Sequence, residues 1–372
     1  MRRWIAGFLI LAELACAQSI TDRVGGRDYP SVFQAWNGAE GLEEPKAVSE
    51  ARHDLLFTGA ASLGLRWEGE YEGLARGFMA ESVKEGRRRR AELLGRNPRM
   101  VLLCEIRYRD AHRSFLPADS PWWLRDEGGK PKPGWEEGGY LLMDFSQAGY
   151  RAQVAAQARA AVGSGVFDGV MLDWWEEDEA RVALAREVRA AIGEEALILV
   201  NSNDREVPGS APYVNGLFME CYRSATDEDW RRIEKTLGWA EANLREPRVN
   251  CLETWFEKSR QDLTRMRATT TLGLTVSDGY VLFADPNPLP TPDHLHDWYP
   301  LWDVPLGRPK GPGAKRPDGS VWREFAGGTV VYNPPGKPLR VSFPEPRKSA
   351  ATGKVAREHE IAALDGDVFT TE

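Results

Sequence analysis

The chain has 372 residues, 48 of them basic and 56 acidic, for a net charge of −8. That length holds one large domain and a small one. The acidic balance gives no electrostatic reason for a nucleic-acid partner, and no apolar run is long enough to span a bilayer.

The first 17 residues carry Arg2 and Arg3, an apolar run over 4–12 and the small-x-small ending Ala15-Cys16-Ala17. This is the form of a secretory signal cut after Ala17, so a secreted or periplasmic protein is expected. A lipoprotein anchor at Cys16 is the rival, disfavoured because Glu13 stands where such a site normally carries leucine. Cleavage removes two arginines and one glutamate, leaving 46 basic and 55 acidic residues and a net charge of −9. Cys104, Cys221 and Cys251 remain, too few for a disulfide scaffold and spaced like no zinc motif.

From residue 31, short apolar strands alternate with amphipathic helical segments. Strands are predicted over 32–36, 54–59, 100–106, 167–173, 197–201, 216–221, 249–254 and 279–283. Helices are predicted over 71–94, 149–162, 179–192, 227–244 and 261–272. Eight strand–helix units with right-handed crossovers give an α/β fold closed as a (β/α)8 TIM barrel over 18–304. An open doubly wound sheet is disfavoured, because no glycine-rich phosphate loop follows the first strand. Between Asn201 and Gly216 there is only a polar loop with Pro208, Gly209 and Pro212, so the fifth helix is expected to be lost. The third strand precedes an insertion over 107–146 carrying Trp122, Trp123 and Trp135, long enough to be a lid or binding loop. Beyond 305 the chain turns rich in Pro and Gly, and short β-like pieces at 321–325, 328–332, 339–343 and 360–363 predict a small C-terminal antiparallel β domain over 305–372. The basic cluster Arg87–Arg90 lies in a helical pattern and reads as a solvated face.

Three carboxylates stand at predicted strand ends: Asp173, Glu220 and Glu253. Barrel enzymes place their chemistry at such carboxyl ends, and glycoside hydrolysis needs two carboxyl groups in different environments and no cofactor. Alternation puts Met171 with Asp173, Phe218 with Glu220 and Cys251 with Glu253, while Cys221 faces the other way. A Cys221–Cys251 disulfide is therefore not expected. Trp174, Trp175 and Trp255 directly follow these carboxylates and offer flat faces for sugar rings. Trp36, Trp122, Asp144 and Asn201 complete the candidate substrate contacts. Other roles are open: Asp173 as a helix cap, Glu220 or Glu253 as an ion-pair partner, and Asp144 as a cap for the next helix. Asp168 is expected to face the helices or cap a turn. His294-x-His296 lies in a Pro-rich stretch and reads as a helix start or surface pair, so no metal is expected. There is no Gly-x-Ser-x-Gly elbow to indicate a serine hydrolase.

The segment Phe167-Asp-Gly-Val-Met-Leu-Asp173 resembles the Gly/Phe-Asp-Gly-x-x-x-Asp signature on the fourth strand of TIM-barrel glycoside hydrolases. The family look-alikes are glycosyl-hydrolase-like proteins similar in style to polygalactosaminidases and the α-galactosidase clan. Trp122-Trp-Leu-Arg125 with Gly128-Gly129, then Leu141-Leu-Met-Asp-Phe-Ser146, resembles their segment ahead of that strand. Trp298-Tyr-Pro-Leu-Trp-Asp-Val-Pro-Leu-Gly307 and Asp318-Gly-Ser-Val-Trp-Arg-Glu-Phe325 resemble their closing segment and β appendage. The resemblance covers most of the mature chain, and the lost fifth helix departs from it. It implies Asp173 as nucleophile or base and, as acid, Glu220 first and Glu253 second. The expectation is a secreted glycoside hydrolase acting on an oligo- or polysaccharide. A non-catalytic carbohydrate-binding protein on the same scaffold is the alternative, and a metal-dependent hydrolase using His294 stands third.

Overall fold

A computed structural model describes residues 18–285 and 293–371. The expected signal, residues 1–17, lies outside the described residues.

Helix α1 (Ile20–Gly26) leads into strand β1 (Phe33–Ala35), helix α2 (Lys46–Glu50), strand β2 (Leu55–Thr58), helix α3 (Ala80–Arg96) and strand β3 (Val101–Glu105). A hairpin of β4 (Asp110–His112) and β5 (Tyr140–Leu142) follows, then α4 (Ala148–Gly163), β6 (Gly169–Leu172), α5 (Glu179–Ile192), β7 (Leu197–Asn201) and β8 (Gly216–Cys221). The barrel ends with α6 (Asp227–Asn243), β9 (Cys251–Trp255), α7 (Leu263–Val276) and β10 (Tyr280–Ala284). The eight parallel strands run in the order β1-β2-β3-β6-β7-β8-β9-β10. A parallel bridge from Val32 to Val281 brings the two edges together, so the sheet closes as the expected barrel. Helix α3 begins nine residues later than predicted, since Gly73 and Gly77 weaken the preceding turns. No helix joins β7 to β8, as the Pro- and Gly-bearing loop suggested.

Strand alternation builds two apolar layers. Phe33, Phe57, Leu103, Met171, Leu199, Phe218 and Cys251 fill the barrel interior. Leu56, Leu102, Val170, Leu172, Val200, Met219, Cys221 and Leu252 pack against the helices. Cys221 and Cys251 thus fall in different layers, and the three described cysteines are free thiols.

The C-terminal strands β11 (Ala314–Lys315), β12 (Val321–Glu324), β13 (Gly328–Asn333), β14 (Leu339–Ser349), β15 (Val355–Ile361) and β16 (Asp365–Thr370) form an antiparallel sheet in the order β11-β12-β13-β16-β14-β15. Strand β16 was not foreseen, yet it is central and pairs with β13 along its length. The sheet is seated on α7. Arg267 grips Asp365 with two hydrogen bonds of 2.8 and 2.7 Å, and Arg323 donates to the carbonyls of Leu274 and Ser277 at 3.1 and 2.7 Å.

At the floor of the barrel Asp168 faces the helices, on the side it shares with Val170 and Leu172, and there it is buried and paired with two arginines. Arg23 of α1 forms a two-pronged ion pair with it, Arg90 of α3 donates at 2.7 Å, and the Leu102 amide donates at 2.9 Å. Arg23 also donates to the Met100 carbonyl at 2.6 Å, so α1 is fastened across the barrel bottom. Arg90 therefore belongs to this buried cluster, whereas Arg88 of the same run is solvated. Gly169, the next residue of the motif, is required by space: a Cβ there would lie 2.1 Å from the Leu197 carbonyl oxygen.

Burial opposes ionisation of Asp168, but hydrogen bonds from Arg23 and Arg90 hold its carboxyl below the usual carboxylate range. A depressed folded-state pKa stabilises above about pH 4 and loses that stability as acid protonates the group. We expect Asp168→Ala to cost about 3–5 kcal/mol, because it strands Arg23 as an unpaired buried charge. The measurement is urea unfolding of variant and wild type at neutral pH and below about pH 3, with the gap narrowing in acid.

Candidate active site

The carboxyl ends of the barrel strands open into a cavity of about 470 Å³. Asp173 follows β6, Asn201 ends β7, and Glu220 stands on β8, so three successive strands point polar groups into one mouth. The Asn201 amide nitrogen donates to Asp173 Oδ1 and to Glu220 Oε2, each at 2.8 Å. An amide NH2 directs its two hydrogens about 120° apart, which places these two carboxylate oxygens roughly 5 Å from one another. The Asn201 side-chain oxygen accepts from the Asn203 backbone at 3.2 Å, fixing which way the amide faces.

The two carboxyls have different surroundings. Burial raises the pKa of Asp173, while the charge of Arg107 and hydrogen bonds from Asn201 and the Trp174 backbone oppose the rise. Glu220, whose side chain is 15 % exposed, is pushed up to about 8. Burial is the main cause; the charges of Asp173 and Glu253 add to it, and His294 and Asn201 work against it. Near neutral pH, Glu220 carries the proton.

Glu253 does not reach the cavity. It stands beside Glu220 in the β8–β9 register and is fully buried. His294 separates the two: its Nδ1 lies 2.9 and 3.1 Å from the Glu253 oxygens, and its Nε2 is 3.7 Å from Glu220 Oε1. Of the readings kept open for Glu253, the ion-pair partner is the one that fits this position.

His294 and His296 overturn the expectation of a surface pair, being 1 % and 0 % exposed. His294 lines the cavity, while His296 turns away to meet His53, with 2.9 Å between their Nε2 atoms. Sequence periodicity could not find His294, since its loop belongs to no strand or helix.

The tryptophans divide. Trp36, Trp174 and Trp255 line the cavity, with Trp135 from the β4–β5 insertion. Trp36 donates from Nε1 to Glu105 Oε2 at 2.8 Å, and Glu105 pairs with Arg107 at 2.9 Å. Trp174 is 48 % exposed, with the Arg109 guanidinium 4.4 Å from its ring centroid. Trp175 touches the cavity edge but is 1 % exposed and donates to Ser210 at 3.1 Å, so it is chiefly core, against expectation. Trp122 and Asp144 are not among the lining residues. Trp122 packs on Tyr150, with ring centroids 5.2 Å apart; Asp144 accepts from Ser146 at 3.2 Å and Gln147 at 2.9 Å, organising the start of α4. Arg107, Trp135, Asn203, Arg205, Tyr222, Asp293 and His294 join the lining without having been proposed as contacts. All but His294 and Asp293 follow a barrel strand or belong to the insertion already suspected of covering the site.

No family model matches this chain, and no curated protein matches it. Among solved structures, a noncanonic maltogenic α-amylase, AmyB, from Thermotoga neapolitana is 11 % identical, with 92 % of this chain and 99 % of that one covered and a TM-score of 0.56. An α-amylase from Lactobacillus plantarum is 12 % identical, with 95 % and 100 % covered and a TM-score of 0.55. A cyclic α-maltosyl-(1→6)-maltose hydrolase from Arthrobacter globiformis is 12 % identical over the same shares, with a TM-score of 0.53. At such identities the likeness is one of fold, extending over nearly the whole chain: a TIM barrel followed by a C-terminal β domain.

Proposed function

We propose that this protein is a glycoside hydrolase that cleaves an oligo- or polysaccharide with retention of anomeric configuration. The observation that carries the reading is the single Asn201 amide bonded to both Asp173 and Glu220. Carboxyl groups about 5 Å apart suit a covalent glycosyl-enzyme, whereas inversion needs about 6.5–9.5 Å to admit a water between sugar and base. The aromatic lining supports a sugar ligand, and the activities named for the fold neighbours belong to the same class.

Asp173, with Arg107 favouring its charged form, attacks the anomeric carbon. Glu220 gives its proton to the glycosidic oxygen, which leaves as an alcohol with the bonding pair. Glu220, now ionised, takes a proton from water as the water oxygen attacks the same carbon, and Asp173 departs as a carboxylate. Both groups end as they began, so the reaction closes with no cofactor. Trp36, Trp135, Trp174 and Trp255 stack on sugar rings. We place the protein outside the cytoplasm, secreted or periplasmic, after removal of residues 1–17.

Asp173→Asn is expected to lower turnover at least about 10³-fold while leaving the fold intact, as loss of a nucleophile does in other covalent enzymes. Product release on a glycan panel, followed by chromatography, checks this. Sugar binding without product in the wild type would favour the non-catalytic reading. Proton NMR of fresh product is expected to find the substrate's anomer first. The kcat/KM of the wild type is expected to fall on the basic side near pH 8, as Glu220 loses its proton. Asn201→Ala removes a hydrogen bond that lowers the pKa of both carboxyls, so both limbs of that profile should move upward. Mass spectrometry of the exported protein is expected to find Gln18 at the amino terminus, and a lipid on Cys16 would reveal the rival anchor.

A further inference from the structure

The proposed reaction makes a demand on Glu220 that its surroundings oppose. Its carboxyl begins protonated, yet it must stand ionised through the second half of the reaction. Around it are Asp173, which shares the Asn201 amide, and Glu253, opposite it on β9. Two acidic neighbours and exclusion from water all favour keeping the proton.

The groups facing His294 come from several elements. Glu253 approaches from β9 and Glu220 from β8; Asp293 Oδ2, on the same loop, lies 3.5 Å from Nε2. The Trp36 ring centroid is 5.1 Å away and that of Phe218 5.9 Å, both apolar walls. His296 touches His294 only at its carbonyl, through Nδ1 at 3.0 Å. Among the described residues, every polar group near the two ring nitrogens is thus a carboxyl oxygen. A neutral imidazole would turn an unprotonated nitrogen toward the carboxylate of Glu253 or Asp293, whereas an imidazolium presents N–H on both sides. The backbone of His294 sits in the left-handed region at φ 59°, a conformation unfavourable for a side-chain-bearing residue, so its surroundings hold the ring in place.

We infer that Glu253 and His294 form a fixed imidazolium–carboxylate pair that acts as a positioning device for Glu220, supplying the counter-charge that lets it ionise after protonating the leaving group. The inference rests on the two-carboxylate reading and assigns to Glu253 and His294 a task outside the reacting pair. Glu253 is too deep to touch substrate; its work is done through the ring. Burial alone would lower the pKa of His294, but the charge and hydrogen bond of Glu253, then the charge of Glu220, raise it to about 10.

Two variants of the full chain test the pair, Glu253→Gln, which keeps the shape, and His294→Gln. The first readout needs no activity: the ring nitrogens of His294, followed by 15N NMR and assigned by their loss in His294→Gln. They should titrate well above pH 8 in the wild type, and at least about one unit lower in Glu253→Gln. A wild-type ring that titrates below pH 7 overturns the pairing. The second readout is the pH profile on an activated aryl glycoside that the wild type hydrolyses. Glu253→Gln removes a negative charge and leaves the ring charged, so it should not raise the basic limb of kcat/KM; His294→Gln removes the cation, raises the affinity of Glu220 for its proton and should move that limb up by about one pH unit. In His294→Gln, glycosyl-enzyme should accumulate, and added azide, which attacks without a general base, should restore turnover. Lower activity of that variant with an unmoved limb and no azide effect would overturn the positioning role. If the wild type cleaves no glycoside at all, the glycosidase reading falls, and the ring titration still decides whether the pair exists.

Discussion

Two carboxyl groups bridged by one side-chain amide and held away from water resist carrying charge together, because a like charge nearby raises the cost of ionising the second. The mouth of this barrel is arranged around that constraint. A neutral amide, Asn201, ties Asp173 to Glu220 without adding charge of its own. Arg107 favours the ionised form of Asp173 from one side, held in turn by Glu105. His294 answers Glu220 from the other side, held in turn by Glu253. Each carboxyl thus has its own cation, and each cation has its own buried anchor. The outcome is asymmetric, with the proton on Glu220, and an asymmetric pair is what acid–nucleophile chemistry requires.

The barrel supplies the rigidity this arrangement needs. Asp173, Asn201, Glu220 and Glu253 come from four adjacent strands, β6 to β9, and period-two alternation aims them at the barrel axis. The Phe-Asp-Gly-x-x-x-Asp segment serves both ends of one strand. At the bottom, Asp168 locks Arg23 and Arg90, and Gly169 lets the neighbouring backbone approach. Asp173 then emerges at the top with its position set by the same strand. The segment thus divides into a floor anchor, Asp168, and a carboxylate that lines the cavity, Asp173.

What could be read from the sequence follows from which signals are local. The strands and helices were legible because burial on one face imposes a period, and α5 was foreseen residue for residue at Glu179–Ile192. The missing fifth helix was legible from Pro208, Gly209 and Pro212. Asp173 and Glu220 were legible because each closes an apolar run at a strand end. His294 was not, since a loop residue acquires its burial only from elements distant in sequence, here Glu253 and Trp36. Trp174 and Trp175 are neighbours with opposite fates: one is half exposed beneath Arg109, the other sealed against Ser210. Composition cannot separate them. Strand β16 was missed because its sequence opens on Asp365, Gly366 and Asp367, residues depleted in strands, and it is held in place by pairing with β13 and the Arg267–Asp365 ion pair.

The aromatic walls carry the last piece of the constraint. Trp36 and Trp174 both have positive φ, 48° and 55°, at the ends of β1 and β6. A non-glycine residue in that region costs on the order of 1–3 kcal/mol and persists only where its surroundings over-determine it. Here the determinants are visible. Glu105 accepts from the Trp36 indole at 2.8 Å, and the hydroxyl of Tyr108 donates to the Trp174 carbonyl at 2.8 Å. Arg181 donates to that same hydroxyl at 3.0 Å and is itself buried. Extended backbone at these two positions would continue each strand and swing the indole away from the mouth. The left-handed turn stops the strand and lays the ring along the cavity beside the carboxyls. The same walls that can receive a sugar ring also thin the water around Asp173 and Glu220, which raises the proton affinity of both and leaves the charged neighbours of each to set them apart. Ligand wall and raised proton affinity are therefore two consequences of one local geometry, strand ends turned sharply over a buried carboxyl pair.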